Sequence, residues 1–236
     1  PNACSPYGPS SRRWLNYLYI DATAVEGFED EGVQAIVNDP AFQTTLAHAR
    51  QVEHVDYDAV AHLKITALKA IFDVFDARYL RKNTKQNKAF KACVSEGGES
   101  LDMLAVYDAL QSHLKEDGKE SWGWPVFPEQ YKDYHNPAVA KFKKAHGKEV
   151  KFYLFLQWIA AQQLEASSQK AKDCGMTIGL YRDLAVGVSE GSAEIWGNKD
   201  LYCTNASVGA PPDVLGPLGQ NWGLPPMDPR KLYEQA

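Results

Sequence analysis

The chain has 236 residues, 44% of them hydrophobic, 11% aromatic and 23% charged, with a formal net charge of −5. That balance suits a globular chain long enough to bury a sizeable core, as one large domain or two small ones, and excludes general disorder. The acidic excess disfavours nucleic acid or an anionic membrane as partner, and no apolar stretch reaches membrane-span length.

Cys4, Cys93, Cys174 and Cys203 lie far apart, with no ligand spacing between them. They read as reduced thiols, which points to the cytoplasm. The opening residues do not read as a signal peptide. The chain begins at Pro1 rather than Met, in turn-like sequence, which reads as an excised fragment or a processed chain.

Residues 1–30 open on a turn-rich run. "WLNYLYID" (Trp14–Asp21) follows and is expected as a buried strand or extended segment. Within "SPYGPSSRRWLN", Tyr7, Ser10, Ser11 and Asn16 place aromatic and hydroxyl groups on a turn, which by themselves read as a solvated loop.

Residues 31–173 are almost wholly helical in pattern. Pro40 can start a helix after Asn38-Asp39. Val60, Leu63, Ala67, Leu68, Ile71, Phe72 and Phe75 recur at helical spacing, as do Met103, Val106, Tyr107, Leu110 and Leu114. Gly97-Gly98 marks a turn. "WGWPVFPEQY" (Trp122–Tyr131) interrupts the pattern, because its prolines cannot sit in a helix interior. A helix is expected from Pro137, breaking near Gly147 and resuming to about Lys172. Phe152–Ile159 is apolar nearly all round, which predicts a buried helix, with Gly175 as its end-cap.

Residues 174–236 start with "MTIGLYRDLAVGV", expected as a buried strand running into a functional loop. "SAEIWGN" (Ser192–Asn198) predicts a short helix, and "MDPRKLYEQA" predicts the first turns of another. Between them "GAPPDVLGPLGQNWGLPP" (Gly209–Pro226) is half Gly and Pro, hence stiff and irregular.

Three groups could carry chemistry. Asp183 sits at the end of the predicted strand, where α/β folds place functional groups; it equally suits a cap or a partner for Arg182. Asp213, Gln220 and Trp222 combine a carboxylate, an amide and an aromatic face, a mixture suited to a sugar's hydroxyls and C–H faces. The same residues suit a structural loop plugged by Trp222. His48, His54 and His62 lack metal-ligand spacing, and no phosphate-binding Gly loop or GxSxG elbow occurs. "RYLRKNTKQNKAFK" reads as a solvated helix face and connector.

"SPYGPSSRRWLNYLYID", "WGWP", "FYLFLQW", "GLYRDLAVGVSEGSAEIW" and "ASVGAPPDVLGPLGQNWGLPPMDP" together resemble bacterial 4-α-glucanotransferase, or amylomaltase, family seventy-seven of the glycoside hydrolases. Arg182 stands where many members have Gly, a variant similar to the enteric maltose-utilisation branch. The resemblance implies an α/β fold, a partial (β/α)8 barrel carrying a large helical insertion. Residues 1–30 would be an early barrel segment with a substrate-side loop. Residues 31–173 would be the insertion, and 174–236 a barrel strand with a glucan-binding loop.

The resemblance further implies a cytoplasmic enzyme without cofactor or metal. It would move α-1,4-glucan segments between maltodextrins through a retaining glycosyl-enzyme mechanism. Asp183 matches a strand-end Asp that supports the catalytic centre. Asp213, Gln220 and Trp222 match the loop bordering the donor and acceptor subsites. Tyr7, Ser10 and Ser11 match the SPY-x-x-SS segment at the glucan groove.

The family's nucleophile lies in an Arg-x-Asp-His motif, which does not occur in this sequence. The nucleophile and acid/base are therefore expected beyond Ala236, and the chain alone is expected to be an inactive fragment, open to self-association through an unpaired strand edge. Two alternatives are a non-catalytic glucan-binding module and a helical interaction domain.

Overall fold

A computed structural model describes residues 8–214 and 216–235. Its helices, in chain order, are α1 (Glu31–Val37), α2 (Pro40–Gln51), α3 (Tyr57–Phe75), α4 (Lys85–Glu116), α5 (Pro137–Ala145), α6 (Gly147–Asp173), α7 (Ala193–Gly197) and α8 (Pro229–Gln235). Strands β1 (Val208–Ala210) and β2 (Gln220–Leu224) form the one sheet found among the described residues.

Capping side chains explain where many of these helices start. Asp30, Asp39, Asp56, Asn136 and Ser192 each accept from a backbone amide in the first turn that follows, satisfying donors the helix itself leaves open. Pro40 and Pro137 occupy first-turn positions, where a missing N–H costs nothing. The expected turn at Gly97-Gly98 is a kink inside α4, with Gly98 at φ 55°.

Two compact units divide the chain. One holds residues 15–98 and 154–181; the other holds the described parts of 1–14, 99–153 and 182–236. In the first unit, Leu63, Ala67, Leu68, Ile71, Phe72 and Phe75 form the buried face of α3, as their spacing predicts. Phe75 is the centre of an aromatic cluster, with Phe155, Trp158 and Phe90 at centroid distances of 4.9, 5.2 and 6.1 Å. Each such pair adds about 0.5–1.5 kcal/mol beyond area burial.

"WLNYLYID" is not a strand. Tyr17–Tyr19 is a 3-10 turn capped by Asn16, and side chains of α6 take the place of a neighbouring strand. Gln157 accepts from the Leu15 amide at 3.0 Å and donates to the Leu15 carbonyl at 2.7 Å. Gln163 does the same for Asp21, at 2.8 and 2.9 Å. Two primary amides thus satisfy the backbone groups that a sheet ladder would otherwise have to pair.

In the second unit, Trp196 of α7 is buried and packs edge-on to Tyr107 and Tyr134, with centroids 5.4 and 5.5 Å away. Its indole donates to the Tyr131 carbonyl at 2.8 Å. The WGWP stretch turns through a 3-10 helix at Trp124–Val126. There the Trp124 indole donates to the Glu190 carbonyl at 2.7 Å, and Lys199 lies 4.2 Å from the ring centroid. A smaller core cluster of Val188, Ile195 and Tyr202 packs with Trp124, Leu201 and Met227.

"MTIGLYRDLAVGV" is likewise not a buried strand. It has no strand assignment, and Ile178, Tyr181, Leu184 and Val186 are exposed. Among the described residues no strand lies beside it to pair its backbone, and of its aliphatic side chains only Val188, at its end, is buried. Gly175 does end α6 as expected, at φ 82°, with the Met176 amide donating back to the Ala171 carbonyl at 3.1 Å.

Candidate functional site

The hairpin β1–β2 carries three of the candidate residues. Ala210 faces Gln220 and Gly209 faces Asn221, whereas Val208 faces Leu224. Trp222 and Gly223 are therefore the two extra residues on β2, and Gly223 takes φ 66° there. This irregularity sets Trp222 off the regular ladder and leaves the residue 44% exposed. Gly209 is required by close approach: a Cβ there would sit 1.9 Å from the Gln220 carbonyl oxygen.

The loop between the strands gathers the polar groups. Asp213 Oδ1 accepts from the Gly216 amide at 2.6 Å, and the Asp213 amide donates to the Gly216 carbonyl at 3.2 Å. The side-chain amide of Gln220 also borders Gly216. Gln220 Oε1 in turn accepts from the Trp222 indole at 2.9 Å. Asp213, Gln220 and Trp222, nine residues apart in sequence from first to last, thus share one edge of the hairpin.

Ser10 and Ser11 differ in role. Ser10 Oγ accepts from the Ala193 amide at 3.1 Å, and its carbonyl accepts from the Glu194 amide at 3.1 Å, so it anchors the entry of α7. Ser11 Oγ accepts from the Arg13 amide at 3.1 Å within its own turn. Asp183 is exposed, and its carboxylate accepts from the adjacent Leu184 amide at 2.8 Å. It therefore does not stand at the end of a buried strand within this chain. Tyr7 lies outside the described residues.

The sequence did not disclose a cluster formed by Arg12, Glu194 and Tyr202. Glu194 accepts from the Arg12 amide at 2.9 Å, from Arg12 Nη2 at 3.1 Å and from the Tyr202 hydroxyl at 2.6 Å. Burial alone would raise the Glu194 carboxyl. The hydrogen bonds from Tyr202 and Arg12 outweigh it and hold the carboxyl below the usual carboxylate range. Burial, and next the hydrogen bond to Glu194, push the Tyr202 phenol up, so it remains a donor. One signal was available: Glu194 is a charge between Ala193, Ile195 and Trp196, and a charge on an apolar turn needs a partner.

Among the described residues no group of three His, Cys, Asp or Glu side chains could hold a metal ion. None of the helices among the described residues is long and apolar enough to cross a membrane.

A family model described as 4-alpha-glucanotransferase, of glycoside hydrolase family 77, matches residues 1–236. The chain belongs to this family. It is 39% identical over 242 residues to the 4-alpha-glucanotransferase of Haemophilus influenzae, covering 98% of this chain and 34% of that protein. It is 32% identical over 232 residues to the 4-alpha-glucanotransferase of Mycobacterium bovis, covering 98% of this chain and 30% of that protein. The chain thus spans about a third of the length of the curated relatives it matches.

Among solved structures, the amylomaltase from Corynebacterium glutamicum superposes with a TM-score of 0.75 at 27% identity, over 100% of this chain and 30% of that one. The amylomaltase from Streptococcus agalactiae, solved in complex with acarbose, has a TM-score of 0.69 at 17% identity, over 98% of this chain and 44% of that one. The second likeness speaks to fold alone. Together they bear out the fold class that the glucanotransferase resemblance implied, a helix-rich part of the amylomaltase architecture with few strands of its own.

Proposed function

We propose that this chain is part of an enzyme that transfers α-1,4-glucan segments between maltodextrins, with the hairpin as one wall of the glucan groove. The observation that carries the reading is Trp222, half-exposed and held by Gln220 beside the Asp213 loop. A fixed indole face suits the C–H face of a glucose unit, and the neighbouring amide and carboxylate suit its hydroxyls. The Ser10–Ser11 turn, Tyr7 and Asp183 would add further glucan contacts.

Breaking the glycosidic bond by a retaining route needs a nucleophilic carboxylate and an acid/base carboxyl about 5–5.5 Å apart. No Arg-x-Asp-His motif occurs in the 236 residues, so we assign both groups to sequence outside them. This chain would hold and orient glucan while water is kept from the glycosyl-enzyme, which favours transfer over hydrolysis. On this reading residues 1–30 and 174–236 belong to the barrel and 31–173 to the helical insertion. Cys93, Cys174 and Cys203 are free thiols, which supports a cytoplasmic setting.

Incubation with maltotriose tests the proposal. The full-length protein that carries these residues should release glucose and longer dextrins, and residues 1–236 alone should not. Turnover by residues 1–236 alone would contradict the assignment of the carboxylates.

A further inference from the structure

Arg12 lies beside one stretch that carries candidate glucan contacts, and its guanidinium reaches segments next to the others. Arg12 itself adjoins the Ser10–Ser11 turn. Its Nη1 donates to the Val186 carbonyl at 3.4 Å, in the stretch that follows Asp183. Its Nη2 reaches the Tyr202 hydroxyl at 3.4 Å and Met227 Sδ at 3.9 Å. Tyr202 and Met227 pair as an antiparallel bridge at the base of the excursion that holds β1 and β2. The neighbouring backbone closes the same base, with the Cys203 amide on the Pro226 carbonyl and the Asp228 amide on the Leu201 carbonyl, both at 2.8 Å.

Stability alone is a poor account of this arrangement. The Arg12 and Glu194 side chains are only 20% and 12% exposed, and Arg12 Nε is buried with no acceptor among the described residues. Buried ion pairs often contribute no more than well-packed apolar residues of similar volume, and an orphaned donor adds a cost. What a guanidinium does supply is geometry. Its planar fork holds a carboxylate and a carbonyl in fixed directions from separate nitrogens, whereas an ammonium directs three rotating donors from a single centre.

We infer that Arg12 is a positioning residue, a latch that holds the Ser10–Ser11 turn, the 183–186 stretch and the β1–β2 hairpin in one fixed arrangement for glucan. This rests on the groove reading proposed above. Arg12 acts through these segments, and small displacements at such a surface are expensive: about 1 Å can cost about a hundredfold in rate.

The test compares wild type, Arg12→Lys and Arg12→Met in the full-length protein. Lysine keeps the charge and can still pair with Glu194, but from a single centre it does not also fix Val186 and the hairpin base in place. The readouts are Tm, kcat and KM for maltotriose, and amide hydrogen exchange across the chain. Arg12→Lys should keep a Tm within a few degrees of wild type and raise KM roughly tenfold, about 1.4 kcal/mol. Its exchange should quicken in 183–188 and 202–227 while α3 stays unchanged. A folded Arg12→Lys with wild-type KM and wild-type exchange overturns the latch, as does exchange that rises evenly over the whole chain. A wild-type protein that leaves maltotriose unchanged overturns the glucanotransferase reading instead, and the exchange pattern then decides the latch separately.

Discussion

The Trp222 indole donates to the side-chain oxygen of Gln220 across 2.9 Å, so the half-exposed ring of the hairpin is held by its second neighbour along the strand. The ring is thereby presented in one orientation without being buried, which would lower the entropy lost in the stacking on a sugar proposed above. Gln220→Ala should leave the fold intact and weaken maltotriose use by about 2–10-fold in KM, the worth of one hydrogen bond of about 0.5–1.5 kcal/mol. Trp222→Ala should cost more, roughly tenfold or above, since it also removes the stacking face. Steady-state kinetics on the full-length protein measure both.

Gly209→Ala should break the hairpin. The new methyl would meet the Gln220 carbonyl oxygen at 1.9 Å, a backbone atom that cannot rotate away. Glucan binding should be lost while helical circular dichroism is retained, because no helix depends on that approach. A Gly209→Ala protein with unaltered hairpin exchange and unaltered KM would refute the packing described.

Gln157→Leu should destabilise the first unit by about 1–3 kcal/mol, the usual cost of leaving backbone donor and acceptor groups unmade. Gln157→Glu should also destabilise, since an ionised carboxylate can accept from the Leu15 amide but cannot donate to its carbonyl. Chemical denaturation followed through Trp158 reads both changes.

Asp108, itself half-buried between the buried Tyr107 and Ala109 of α4, predicts a pH effect. Burial pushes its carboxyl up to about 7. An unfolded aspartate titrates near about 3.9, so between about pH 4 and 7 the unfolded chain has released a proton that the folded chain keeps. Stability contributed by this residue therefore falls as pH rises through that window and levels off above it. Asp108→Asn should raise Tm at pH 8 and change it little at pH 4. Thermal melts at the two pH values decide the matter, and an equal shift at both would count against burial as the cause.

The helices were legible because their signals are local. The α3 face repeats at helical spacing, Pro40 and Pro137 sit at first turns, and Gly175 closes α6 in the left-handed region. The two expected strands were not legible, since a strand is defined by a partner that a single segment does not encode. For Trp14–Asp21 that role falls to Gln157 and Gln163, 142 residues further on in both pairings. Met176–Val188 has strand composition but no strand beside it among the described residues. The hairpin escaped notice for another reason. β1 is three residues long and β2 is broken by the extra Trp222-Gly223, so neither carries a run long and regular enough to show a period of two in the sequence.

The candidate site was legible in part. The family motifs singled out Asp213, Gln220 and Trp222, and the hairpin brings these together. Ser10 emerges with an anchoring role at α7, and the Arg12–Glu194–Tyr202 cluster needed the fold, since its members lie up to 190 residues apart.

The most direct test of a glucan-contacting hairpin is the Trp222 indole signal in the full-length protein during titration with maltoheptaose. Assignment by comparison with Trp222→Phe isolates that signal from the other tryptophans. A saturable shift of the Trp222 resonance, at concentrations that also support transfer, is the result predicted here. An indole signal that stays fixed while maltoheptaose saturates the enzyme would contradict the placement of this hairpin in the glucan groove.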